Sequence, residues 1–393
     1  MKNLVLLFLV SLILTPLVGV GVPLTFGGLV ALSLILPASQ SGVLNIAIPI
    51  QDAQGLFTKK LIAVYKEKIN VTGFLRSFFV PVESMTKEVS IAVRRGSEQV
   101  AVDVHRFSDG NRNTFDKSSE KIFVPPFYHE YLTANDHRLY DQVIVALSQG
   151  NTTFFAEMTA ELAEDLIELQ KKIERATELQ CAQVFETGIV QLNAGTNINF
   201  QRKSGSLVDL GVGNYWTTGT NSPYEDLEAG CTFLRTIGKT EGAVFNAILG
   251  SAALNALLNN TIVKERNDLK NMNLDAVRAP QRNSVGAASH GEITCGSYTV
   301  RLWSYPEYYD VLGVSTPYIN TKKVILLPEN PNFKLAYAAV PQLIQNGTIP
   351  QKGAYLVQEF FDEKATSHEI HIKSAPIAVP VAIDMIYTVQ VVA

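Results

Sequence analysis

The stretch His371-Ile-Lys-Ser-Ala-Pro376-Ile-Ala-Val-Pro380-Val-Ala-Ile-Asp-Met-Ile-Tyr-Thr-Val-Gln-Val-Val-Ala393 decides how the rest of the chain is read. Proline has no amide hydrogen to donate, so Pro376 and Pro380 mark strand ends or edges. From Ile386 to Val392, Thr388 and Gln390 alternate with aliphatic residues, which predicts a half-buried strand. That pattern predicts an end pinned into a sheet.

Working back from this strand, Tyr298–Trp303 and Val324–Leu327 read as strands, the second closed by Pro328. Helices are predicted from Leu227 to Ile237, after the start signal Asn221-Ser-Pro223, and from Ser251 to Leu258. A strand or turn is predicted near Ala243–Phe245, and short strands near Ile189–Leu192, Ile198–Gln201 and Leu207–Leu210. The strongest helical signal lies between Phe154 and Gln180. There Phe155, Met158, Leu162, Leu166, Leu169, Ile173, Ala176 and Leu179 recur at spacings of three and four, with charged residues between them. Asn151-Thr152-Thr153 offers an N-cap, and Gly188 a stop. The seam fades too soon for a coiled coil, so one long helix packed on a sheet is expected. Further upstream, Phe74, Phe78 and Phe79 form an aromatic group that must be buried. Val89–Val93 and Val100–Phe107 alternate around Arg94-Arg-Gly-Ser97 and predict a projecting β-hairpin. Strands and helices mixed without βαβ regularity indicate an α+β protein.

The 393 residues are 47% apolar and 18% charged, with a formal net charge of −4. Those values exclude a disordered chain and give no basic bias toward nucleic-acid recognition. Cys181, Cys231 and Cys295 are isolated, so neither a disulfide framework nor a thiolate zinc site is encoded. Reduced, buried thiols fit assembly in a reducing cytoplasm. Leu4–Leu36 is almost wholly apolar, interrupted by Pro16, Pro23 and Gly27-Gly28. It reads either as a signal-like or membrane-active segment or as an apolar arm buried between subunits.

No catalytic, cofactor-binding or metal site is expected, and the chain is not read as an enzyme. Gly238-Lys239-Thr240 has the tail of a phosphate loop, but Phe233 occupies the place of the required glycine. Gly211-Val-Gly213 opens like a dinucleotide fingerprint and fails at Trp216. His368 and His371 stand three apart on a predicted strand, which points them to opposite faces and favours structural roles. The Asn-x-Thr sequons at Asn70, Asn151, Asn259 and Asn346 carry no functional weight.

In order along residues 70 to 393, several of these segments resemble the lambda-type phage major capsid proteins, the major capsid protein E family with its Hong Kong 97-like fold. Phe78-Phe79 and the alternating segment after it resemble the start of the family's extension loop. The helix over Phe155–Leu179 resembles its spine helix. Trp216 with Asn221-Ser-Pro223-Tyr-Glu-Asp226 resembles its axial helix start, and Tyr298–Trp303, Tyr318-Ile319 and Val324–Pro328 resemble its later strands. Ser374-Ala-Pro376 and Val389-Gln-Val391 resemble its close. The resemblance implies five segments. Residues 1–60 would be an apolar arm or membrane-active segment, and 61–150 the arm's continuation and extension-loop hairpin. Residues 151–220 would form a peripheral domain with the spine helix, 221–350 an axial domain, and 351–393 the return strands of the peripheral domain. It also implies a shell subunit of a tailed double-stranded DNA phage or prophage, assembled in the host cytoplasm and resident in the phage head. Its partners would be further copies in hexamers and pentamers, a scaffold protein, a portal, and packaged DNA bound without sequence preference. A decoration protein fits the same scheme, as does membrane contact through the N-terminal segment. The alternative is a membrane-anchored or exported α+β protein. Typical members lack the apolar stretch Leu4–Leu36.

Overall fold

The computed structural model describes residues 73–93, 119–135, 154–192, 197–218, 221–268, 276–282, 286–311, 313–344, 347–362 and 367–393. All of these lie in the unit Ala53–Ala393. The apolar stretch Leu4–Leu36, the expected strand Val100–Phe107 and the expected cap 151–153 fall outside the described residues.

A 3-10 turn over Leu75–Phe78 leads into β1 (Phe79–Glu83), followed by β2 (Val89–Val93), β3 (Ser119–Phe123) and β4 (Tyr128–Asn135). The long helix α1 spans Phe154–Glu186, 33 residues and therefore about 50 Å at 1.5 Å per residue. Gly188, at φ +73°, ends it by donating to the carbonyls of Gln183 and Val184 at 3.1 Å. Short strands β5 (Ile189–Val190), β6 (Ile198–Asn199) and β7 (Leu207–Asp209) precede α2 (Pro223–Thr236), which starts with Pro223 in its first turn. Then come β8 (Val244–Leu249), α3 (Ser251–Asn259), α4 (Thr261–Asp268), β9 (Ala276–Arg282), β10 (Ala288–Cys295) and β11 (Tyr298–Ser304). Two hairpins follow, one of β12 (Tyr308–Val311) with β13 (Val314–Pro317). The other, after β14 (Lys323–Pro328) and β15 (Phe333–Tyr337), joins β16 (Val340–Ile344) to β17 (Gly347–Gln351). The chain closes through β18 (Leu356–Asp362), β19 (Ser367–Ser374), β20 (Pro376–Val379) and β21 (Tyr387–Gln390).

Seven strands form the main sheet in the order β7-β21-β14-β8-β11-β10-β9. Its middle strands are buried on both faces, and their alternation assigns each face a different partner. Phe245, Ala247 and Leu249 of β8, with Val324 and Leu326 of β14, pack with Leu227, Cys231 and Leu234 of α2 and Leu257 of α3. Ile248, Ile325 and Leu327 point the other way, into the cluster of Phe185 of α1, Phe79 and Phe333. Burial on both faces explains why these strands read as continuous apolar runs instead of alternating with polar residues. The second face also takes up the aromatic group. Phe79 stacks at 5.3 Å from Phe185, and Phe74 lies 5.5 Å from Trp303.

A smaller sheet, β1-β15-β20, pairs β1 in parallel with β15, and a third, β18-β19-β4, lies against Leu166, Leu169 and Ile173 in the middle of α1. Three expectations change here. The partner of β2 is Ser119–Phe123, joined antiparallel from Val89↔Phe123 to Val93↔Ser119. The terminal strand packs at the end of α1, where the Thr388 hydroxyl donates to Phe185 O at 2.7 Å, but its ladder partners are β14 and β7 of the main sheet. Two-sided burial calls for apolar residues on both faces, which Tyr387, Val389 and Ile386 supply. Finally, α1 is buried on more than one side near its end. Thr177, Glu178 and Gln180 are buried while Ala176 and Leu179 are only half-buried, because the turn at Leu75–Phe78 and β20 wrap that segment.

Candidate assembly surface

The carboxy-terminal half of α1 is held by polar groups that apolar periodicity does not reveal. The buried Glu178 carboxylate accepts the backbone N–H of Leu75 at 2.8 Å and of Arg76 at 3.2 Å, tying the arm-proximal turn to the helix. Burial pushes this carboxyl above its ordinary range, against the pull of those two N–H groups and Arg76. Gly73 is required beside it, since a Cβ there would collide with the same carboxylate. At the helix terminus Arg202 donates to Phe185 O at 2.7 Å, Ser206 O at 2.9 Å and Ile386 O at 3.0 Å. A guanidinium at this position meets the orphan carbonyls and the negative end of the helix. Burial lowers its pKa to about 10, opposed by Asp384, so it remains charged at neutral pH.

The segments that failed as catalytic motifs have structural work. Thr240 is buried, and its hydroxyl donates to Leu234 O at 2.9 Å, so Gly238-Lys239-Thr240 closes α2. Trp216 is buried, and its indole N–H donates to the Asp226 carboxylate at 2.7 Å in the first turn of α2. Cys181, Cys231 and Cys295 are buried, and burial pushes the thiols of Cys181 and Cys231 up, leaving them protonated and unreactive at neutral pH. His371 bonds His129 and Glu369 on the outer face of the β18-β19-β4 sheet. Among the described residues no group of His, Cys, Asp and Glu is placed to hold a metal, and no helix is long and apolar enough to cross a membrane.

What the described surface does offer is apolar area on strands. In the β12–β13 hairpin Tyr308, Val311 and Val314 are exposed, Val314 to 64%. In the β16–β17 hairpin Leu343, Ile344 and Ile349 are exposed, and every residue of β17 is open to solvent. The base of the β2–β3 ladder buries Val89 and Phe123 yet exposes Ile122 and Val124, and edge strand β1 exposes Val80 and Val82. Edge strands and hairpins with uncovered aliphatic residues are the surface through which chains associate. The sequence pattern does not separate these hairpins from core strands, because four or five alternating residues look alike in both settings. The one available signal is Pro341 and Pro350, paired across β16–β17, which keep that ladder out of a sheet centre.

The fold occurs in known structures. A protein assigned as the capsid protein of a prophage of Escherichia coli CFT073 superposes with a TM-score of 0.57 at 14% identity, covering 86% of this chain and 99% of that one. A phage-related protein from Bordetella bronchiseptica RB50 gives 0.51 at 12% identity, covering 84% and 96%. The architecture is therefore the Hong Kong 97-like capsid fold that the sequence resemblance implied. No curated protein sequence matches the chain. The family description "Phage major capsid protein E" matches residues 57–391, and with uncovered hairpins on a capsid fold the chain belongs to the phage major capsid protein E family, as a shell protein of the phage head.

Proposed function

We propose that the chain assembles into hexamers and pentamers, that these close into an icosahedral procapsid around a scaffold protein, and that the shell takes a portal and a decoration protein. The finished shell encloses double-stranded DNA held without sequence preference, consistent with the net charge of −4. The role is structural and no chemistry is assigned to the chain. The observation that carries this reading is the family match over residues 57–391. Uncovered apolar hairpins support it, since symmetric repetition turns a small contact into many.

Within that reading, residues 151–220 and 351–393 serve as the peripheral domain and 221–350 as the axial domain, with β7 and β21 lent to the main sheet. Residues 1–60 serve as the arm, with its apolar stretch available for membrane contact, and 61–150 as the arm's continuation and the extension loop, which carries the main intersubunit contact. Replacing residues 94–118 by a short glycine–serine turn tests this assignment by electron microscopy of the expressed protein. Soluble, folded, unassembled subunits are expected. Normal shells from the shortened chain would remove the loop from its role.

A further inference from the structure

The outer face of the β18-β19-β4 sheet carries a short chain of titratable groups that the shell reading does not use. His129 Nε2 lies 2.7 Å from His371 Nδ1, and His371 Nε2 lies 3.0 Å from Glu369 Oε2. The two rings come from different strands, β4 and β19, which pair antiparallel from Tyr128↔Ser374 to Asn135↔Ser367. The His371 side chain is only 13% exposed. Tyr131 stacks on its ring at 5.3 Å and Phe360 of β18 meets it edge-on at 4.6 Å. The charged groups around the pair are few. Lys373, opposite His129 in register, bonds Gln358 of β18 at 3.2 Å and lies over the Phe360 ring, while Glu130 is drawn to Lys172 of α1 at 3.5 Å.

A carboxylate only accepts, so His371 Nε2 bears hydrogen toward Glu369, and in the neutral pair His371 Nδ1 accepts from His129 Nε2–H. One added proton leaves every contact intact. The hydrogen on His129 Nε2 passes to His371 Nδ1 while His129 Nδ1 gains one from solvent. His371 then donates from both ring nitrogens, to His129 and to Glu369. A second proton leaves two N–H donors and two positive charges facing each other at 2.7 Å, with no acceptor between them. Burial, His371 and Lys373 all hold His129 below the usual histidine range.

We propose that the His129–His371 pair is a proton-operated clasp between β4 and β19, which holds through the first protonation and opens on the second. Only residues 124–127 separate β4 from β3, so a weakened β4–β19 pairing lies next in the chain to the β2–β3 ladder. Hydrogen exchange of the full-length protein, corrected for intrinsic rates, tests this between about pH 7 and about pH 4, a span that reaches below the ordinary histidine range. Protection of amides in 128–135 and 367–374 should fall about ten-fold or more in the lower half of that range, the effect of losing a contact of roughly 1.4 kcal/mol. In His129→Gln, and independently in His371→Gln, the fall should vanish. His290→Gln, which alters the separate contact of His290 with Ser304 at 2.8 Å, should keep it. Protection that stays level in the wild-type chain, or that falls equally in both clasp variants, overturns the proposal.

Discussion

The middle of the main sheet and the β16–β17 hairpin are both built from short aliphatic strands, yet they end in opposite environments. Residues of β8 and β14 are covered on both faces by their own chain, through α2 and α3 on one side and α1 with Phe79 and Phe333 on the other. Leu343, Ile344 and Ile349 of the hairpin are 55%, 40% and 41% exposed. The first arrangement specifies a fold. The second leaves apolar area at the described surface, which the proposed shell would bury against a neighbouring subunit.

The contrast breaks most strongly in the core. Phe185→Ala removes a side chain fully buried against Phe78, Phe79 and Phe333, and unfolding in denaturant should show a loss of about 3–5 kcal/mol. Arg202→Met removes the guanidinium donor to the carbonyls of Ser206 and Ile386 and leaves Phe185 O with the Thr388 hydroxyl alone, and should cost about 3 kcal/mol by the same measurement. Glu178→Gln keeps one acceptor for the Leu75–Arg76 turn and should cost about 1 kcal/mol at neutral pH. It should also change the pH profile. Burial holds the Glu178 carboxyl up, so the folded chain takes its proton before the unfolded chain does. That stabilisation is present in acid and lost as pH rises from the ordinary carboxylate range through the raised value, and the glutamine variant should lack this fall. The smallest effect on folding belongs to the hairpin. Leu343→Lys with Ile349→Lys should stay within about 0.5 kcal/mol of the parent, yet abolish assembly as read by sedimentation velocity.

The same contrast explains what was legible in the sequence. Helix α1, the Pro223 start of α2, and strands β11, β14 and β21 were legible because burial is written locally, as helical spacing or apolar runs. The parallel pairing of β1 with β15 was not, since it joins Phe79 to Phe333 across the length of the chain with no turn to announce it. The pairing of β2 with β3 was missed for a related reason. A nearer alternating run, Val100–Phe107, offered a shorter loop, and register depends on what each face buries. The polar ties at Glu178 and Arg202 carry no periodic signal at all. The exposure of the β12–β13 and β16–β17 hairpins was not legible, because exposure is a property of the finished fold.

Cryo-electron microscopy of particles formed by the full chain tests the central claim most directly. Closed shells are predicted, with Tyr308, Val311 and Val314, or Leu343, Ile344 and Ile349, buried against a neighbouring subunit. Discrete monomers under every assembly condition, or shells in which both hairpins face solvent, would contradict it.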